Sequence, residues 1–272
     1  MKRTRSDDTN PGDSQSLLPS SKIPFRARKI PKLTSNILKS KPEEPHNPKI
    51  PSTPSPIIPK PLTYKDEINL AIHHLRSADP LLANCIDSFA PPELVTNRAP
   101  FFSLVRNIIS QQLSNKAAHA IEARFLTLFE SPGSVKPETL LALTVQQLRS
   151  VGISGPKANY LHDLASKYRD GVLSDCEIVG MDDETLFEKL TMVKGIGPWS
   201  VHMFMIFTLH RPDVLPVGDL VVRRGVERLY GLKGLPKPSE MEKLCEKWRP
   251  YRSVGAWYMY RLVEAKGVLQ TL

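Results

Sequence analysis

The 272-residue chain carries 37 Lys and Arg against 28 Asp and Glu, a formal charge of +9, with 25 prolines and 14 glycines. No apolar run approaches the ~18 residues of a membrane span, and no apolar segment follows the first residues as in a secretory signal. Cys85, Cys176 and Cys245 are too few and too scattered for a disulfide framework or a four-cysteine iron–sulfur cluster, so a reducing compartment is expected.

Residues 1–62 read as a disordered, Pro-rich basic tail. They hold 12 basic and 5 acidic residues, which leaves 25 basic and 23 acidic in residues 63–272. Overall basicity is therefore no argument that the folded part binds nucleic acid. Pro42, Pro45, Pro48, Pro51, Pro54, Pro56, Pro59 and Pro61 recur every two or three positions and block helix and sheet alike. Basic clusters at residues 2–5 and 26–32 fit nuclear import or a loose DNA tether, with a solubilising tail as the plain alternative.

From residue 63 the pattern turns helical. Ile68, Ala71, Ile72 and Leu75 share a face, as do Phe101, Val105, Ile108 and Ile109, and then Ala117, Ile121 and Phe125. Pro100 suits a first helical turn, where its missing N–H has no partner to lose. Further helices are expected at 137–150, 156–169, 183–193, 199–210, 219–230, 238–248 and 253–266. No period-two alternation appears, so residues 63–272 read as one all-α domain. His73, His74, His162, His202 and His210 show no metal-ligand spacing, and no metal is expected.

Two segments carry the chemistry. In the first, Leu186, Leu190 and Val193 give a helix an apolar face, Gly195-Ile196-Gly197 breaks it, and Pro198 opens a second helix bearing Val201 and Phe204. Glycines permit a sharp turn and close approach, and the first N–H groups of the new helix are placed to meet an anion such as a phosphate. A plain helix–helix turn explains a bare GxG equally well. In the second segment, Val222, Val226 and Leu229 mark a helix face that sets Asp219 at the N-cap, where a lone Asp is most simply a cap.

A helix–hairpin–helix followed by a Gly/Pro-rich loop ending in Asp resembles the signature of the HhH-GPD superfamily of DNA glycosylases. Residues 108–114 (Ile-Ile-Ser-Gln-Gln-Leu-Ser) resemble the family's gap-filling turn, and residues 148–158 the entry to its next long helix. Residues 248–253 with Trp257 resemble the C-terminal segment of the 3-methyladenine DNA glycosylase II branch. The resemblance implies a two-lobed multi-helical domain that acts as a monomer on double-stranded DNA containing alkylated bases, with no membrane partner and a nuclear location.

The resemblance also implies the site. Asp219 is the expected catalytic carboxylate, stabilising the cationic deoxyribose or orienting water. Trp199, Trp257, Met203 and Leu220 are expected against the flipped base. Lys194, Gly195, Gly197, Ser200 and Lys157 are expected at the DNA backbone, with Gln112 or Leu113 filling the vacated space. Strand-cleaving members carry a lysine two residues after the second glycine, where this chain has Trp199, so hydrolysis without lyase activity is expected. Met203 and Leu220 replace tyrosines, and the branch's N-terminal β-sheet domain has no counterpart here. Met203 and Leu220 keep open a non-catalytic DNA-damage-binding protein of the same fold, against which the retained Asp219, Trp199 and Trp257 argue. No cofactor is expected beyond a monovalent cation on the carbonyls of Thr191, Val193 and Ile196.

Overall fold

A computed structural model of the protein describes residues 60–94 and 99–265. The expected tail up to residue 59, with both basic clusters, lies outside the described residues. Among the described residues the structure is helical and has no strand. The helices are α1 (Glu67–Ala78), α2 (Pro80–Ser88), α3 (Pro100–Ser110), α4 (Asn115–Leu126), α5 (Pro137–Leu141), α6 (Val145–Ser150), α7 (Gly155–Arg169), α8 (Asp175–Gly180), α9 (Asp183–Thr191), α10 (Pro198–Phe207), α11 (Leu220–Leu229), α12 (Pro238–Leu244) and α13 (Arg252–Glu264).

Local chemistry sets the boundaries. Proline opens α2, α3, α10 and α12, while Asp79, Ser114, Thr144, Ser174, Asp182 and Asp219 cap helices through their side chains. The single helix expected over 137–150 is two. Thr144 starts a new one by a reciprocal pair, its hydroxyl accepting from Gln147 N (3.2 Å) and its own N–H donating to Gln147 Oε1 (2.8 Å). The helix expected over 238–248 stops at Leu244 and is followed by a tight turn over Glu246–Trp248. The short helices α2 and α8 have no counterpart among the expected segments.

Two hydrophobic cores form. The first draws on α3 to α10 and includes Ile108, Phe125, Leu161, Leu164, Leu190 and Phe204. The second draws on α1, α2, α11 to α13 and the 246–248 turn, and includes Leu75, Leu82, Val222, Trp248 and Met259. The described residues thus start in the second core, build the first, and return through residues 208–219. Packing starts slightly earlier than the sequence implies: Leu62, assigned to the tail, is buried and donates its N–H to His210 O at 2.9 Å.

The second core contains a buried polar knot. Asp79 Oδ1 accepts from Leu81 N and Leu82 N at the start of α2, while Oδ2 accepts from Tyr230 OH (2.5 Å) and Trp248 Nε1 (2.8 Å). Lys247 Nζ approaches Oδ2 at 3.3 Å. Burial alone would push this carboxyl up, but the Tyr230 and Trp248 bonds and the Lys247 charge outweigh it and hold the carboxyl below its ordinary value. A group held low in the folded state contributes stability above the unfolded pKa and loses it as pH falls through the folded one. We expect Asp79→Asn to cost about 2 kcal/mol or more in urea melts near pH 7. That gap should narrow below about pH 4; a gap independent of pH would contradict this account.

Candidate active site

The helix α9 ends at Thr191, and residues 192–197 turn the chain into α10, whose N-cap is Gly197. Gly195 sits at φ +81°, and a Cβ there would lie 2.2 Å from the ring of Tyr160 on α7. Glycine is thus required for both the backbone angle and the packing. Gly197 differs: its φ is −106°, and a Cβ would meet no protein atom within 4 Å. The missing side chain at Gly197 leaves open the outer face of the turn. Helix geometry leaves the first-turn N–H groups of Trp199 and Ser200 without intrahelical acceptors beside that open face.

Contacts from distant helices fix the hairpin. Asp163 on α7 accepts Lys194 N–H at 2.9 Å and sits 3.7 Å from Lys194 Nζ, which is otherwise exposed. Gln111 Nε2, just past α3, donates to Gly195 O at 2.7 Å and lies 3.4 Å from Ser200 Oγ. The α3–α4 turn is therefore tied directly to the hairpin. At its tip Gln112 adopts φ +56° and is exposed, and Leu113 beside it is also exposed. Both candidates for the gap-filling residue stand at the tip.

Lys157, expected at the DNA backbone, is engaged within the protein instead. Its ammonium donates to Ile109 O (2.8 Å) and Gln111 O (2.7 Å), closing the C-terminus of α3. Burial pushes its pKa below the ordinary lysine value. Lys157 thus holds the α3–α4 turn rather than standing ready for a phosphate.

Asp219 caps α11 and is almost fully buried, at 4% exposure. Its Oδ1 accepts from Val221 N (2.8 Å) and Val222 N (2.9 Å). Its Oδ2 accepts from Trp199 Nε1 (2.5 Å) on α10 and Tyr260 OH (3.0 Å) on α13. Burial and the adjacent Asp219 carboxylate push the Tyr260 phenol well above its ordinary pKa, so Tyr260 remains a donor. All four donors are neutral.

Around this carboxylate the surface is apolar. Trp199, Met203 and Phe207 recur every four residues on α10 and so share one face. Trp199 is 50% exposed although its indole N–H is occupied, and Phe207 and Leu220 are similarly exposed. Met203 Sδ lies 3.3 Å from Tyr260 OH. Four of the five expected base-side and catalytic residues thus gather here: Asp219, Trp199, Met203 and Leu220. The fifth does not. Trp257 lines a recess with Leu62, Ile206 and Phe207, and its ring carries Arg261 at 4.8 Å. Tyr260, one helical turn further along α13, is the residue that reaches Asp219.

The chain matches the family model described as HhH-GPD superfamily base excision DNA repair protein over residues 105–250. It is 33% identical over 181 residues to DNA-3-methyladenine glycosylase 1 of Schizosaccharomyces pombe, covering 66% of this chain and 79% of that one. It is 31% identical over 193 residues to the alkylbase DNA glycosidase-like protein mag2 of the same yeast, covering 70% and 91%. The solved structure of the S. pombe 3-methyladenine DNA glycosylase in complex with abasic DNA superposes with a TM-score of 0.64 at 32% identity, covering 71% of this chain and 95% of that one.

The two hairpin glycines should separate by experiment. Gly195→Ala should destabilise the fold by about 1–3 kcal/mol through backbone strain and the Tyr160 clash. Gly197→Ala should cost less than about 1 kcal/mol, the scale of an N-cap substitution. Equal losses in denaturant melts would show that the glycines serve one structural purpose.

Proposed function

Because the chain belongs to the HhH-GPD superfamily of base excision DNA repair proteins, we propose that it is a monofunctional DNA glycosylase for alkylated purines such as 3-methyladenine and 7-methylguanine. The observation that carries this reading is Asp219, a buried carboxylate with only neutral hydrogen-bond partners, beside the half-exposed ring of Trp199. The hairpin would take a phosphate of double-stranded DNA on the open side of Gly197, as the N-terminus of α10 favours an anion. Exposed Lys194 adds a point charge there. Gln112 or Leu113 would fill the space left by the flipped nucleotide, whose extrusion costs a few kcal/mol.

Stacking on Trp199 offsets part of that cost, by about 1–3 kcal/mol. An alkylated purine is cationic, and a desolvated cation–π contact adds roughly 2 kcal/mol, or about 30-fold selectivity at 1.4 kcal/mol per decade. The remaining discrimination would come from lability, because a cationic purine departs without an added proton. As the C1′–N9 bond breaks, its electron pair goes to the base and positive charge builds on the deoxyribose. An anion in a water-poor setting stabilises that charge strongly. Both Asp219 oxygens already accept two hydrogen bonds, which fills their lone-pair sites. In this arrangement the carboxylate works through its charge, and taking a proton from water would require one of those bonds to break.

Trp199 stands where a lyase would carry its lysine, so no Schiff base forms at that position and the product is an abasic site. No cofactor enters the chemistry. A monovalent cation would find neutral oxygen donors in the carbonyls of Thr191, Val193 and Ile196, the last turn before α10. A nuclear address would reside in the two basic clusters of residues 1–59.

The test is single-turnover base release from methylated duplex DNA, with abasic sites revealed by alkali. Asp219→Asn should slow release by at least about 100-fold, the scale of losing one electrostatic stabiliser, with melting temperature followed in parallel. Undiminished release would sink the assignment of Asp219. Tight binding of methylated DNA by the wild type with no release would favour the non-catalytic damage-binding alternative.

A further inference from the structure

The carbonyls at the C-terminus of a helix lack intrahelical donors. At the end of α3 Lys157 supplies them, its Nζ on α7 donating to Ile109 O (2.8 Å) and Gln111 O (2.7 Å). Three and six residues further along α7, Tyr160 lies against Gly195 and Asp163 accepts Lys194 N–H at 2.9 Å. The Gln111 side chain completes the circuit by donating to Gly195 O at 2.7 Å. One stretch of α7 therefore sets both the end of α3 and the hairpin.

These ties flank a strained, exposed tip. Gln112 has φ +56°, in the left-handed region, although it is not glycine. That conformation is unfavourable for a residue with a Cβ and persists where the surroundings dictate it. The flanks do so here. Gln111 is held at its carbonyl and its side-chain amide, Leu113 N donates to Ser110 O at 3.2 Å, and Ser114 caps α4 through Ala117 N at 3.3 Å. Gln112 and Leu113 are both exposed, so no core packing calls for the strain. The Gln112 side chain makes no hydrogen bond among the described residues. Strain held at an exposed tip by pinned ends marks a ligand-facing element.

Resting on the glycosylase reading above, we propose that Lys157 is a positioning residue for base extrusion, and that Gln111 relays its hold to the hairpin. With both in place, the Gln112–Leu113 tip stands at a fixed position relative to the open side of Gly197. A phosphate captured there brings the tip to the duplex in a conformation already set, so the tip is ordered on folding rather than on binding. Without the two ties the tip relaxes out of the left-handed region and must be ordered again at each encounter. Neither residue touches base or sugar in this scheme. The extrusion step depends on them, and the breaking of the C1′–N9 bond does not.

The test mixes the full-length protein rapidly with a duplex carrying one 7-methylguanine beside a 2-aminopurine, whose fluorescence rises when its stacking neighbour leaves. Lys157→Met and Gln111→Leu should each slow that rise about tenfold, the scale of a lost hydrogen bond. Lys157→Arg, which can still donate to both carbonyls, should stay within about threefold of the wild type. Gln111→Leu changes no charge and replaces a half-buried side chain. It should keep the wild-type melting temperature and bind undamaged duplex within about twofold of the wild type, because that affinity reports the phosphate grip. A merely structural role would lower melting temperature, undamaged-duplex affinity and extrusion together. Unchanged extrusion, or extrusion that falls only in step with undamaged-duplex affinity, overturns the proposal, as does a wild type that gives no fluorescence rise. A fluorescence rise without base release would overturn the glycosylase reading instead and leave the positioning role standing.

Discussion

Asp219 Oδ2 accepts hydrogen bonds from both halves of the protein: Trp199 Nε1 arrives on α10, from the first core, and Tyr260 OH on α13, from the second. Its other oxygen is held by the backbone at the start of α11. Each of these bonds has a charged acceptor and so belongs to the stronger class. Together they fix a carboxylate where the chain crosses from one core to the other. The hairpin, the apolar stripe of α10 and the α3–α4 turn are positioned relative to that point, through Trp199 itself and through the Gln111 bond to Gly195.

The same local arrangement occurs a second time, with a different outcome. Asp79 also caps a helix with Oδ1 and also receives a tryptophan indole and a tyrosine hydroxyl on Oδ2. There the tryptophan is Trp248, fully buried, and Lys247 brings a positive charge to 3.3 Å. At Asp219 the tryptophan is half exposed and the direct donors are neutral. One carboxylate is neutralised and sealed inside a core, which suits a structural tie. The other has no direct counter-charge and is bonded to an aromatic ring that is open to the surface. A buried anion is costly, and retaining one without a direct counter-charge is reasonable if a cation arrives during the reaction.

Much of this was legible in the sequence because the signals are local. Gly195, Gly197 and Pro198 punctuate two amphipathic segments, and Asp219 precedes an apolar face at cap spacing. What was not legible depends on distant partners. Lys157 reads as a free cation, yet two carbonyls 46 and 48 residues away claim it. Trp257 and Tyr260 occupy one side of α13, and only the rotation of that helix against α10 decides which of them meets Asp219. Asp163 and Gln111 carry no local pattern that would mark them as supports for the hairpin.

The central claim is that Asp219 contributes negative charge to a site that develops positive charge on the sugar. It is tested most directly by comparing affinities for duplexes carrying either a neutral tetrahydrofuran abasic site or a cationic pyrrolidine analogue of the oxocarbenium-like sugar. The wild-type protein should bind the cationic duplex at least about tenfold more tightly, and Asp219→Asn should erase that preference while leaving neutral-site affinity nearly unchanged. A preference for the cation that survives in Asp219→Asn would contradict the account.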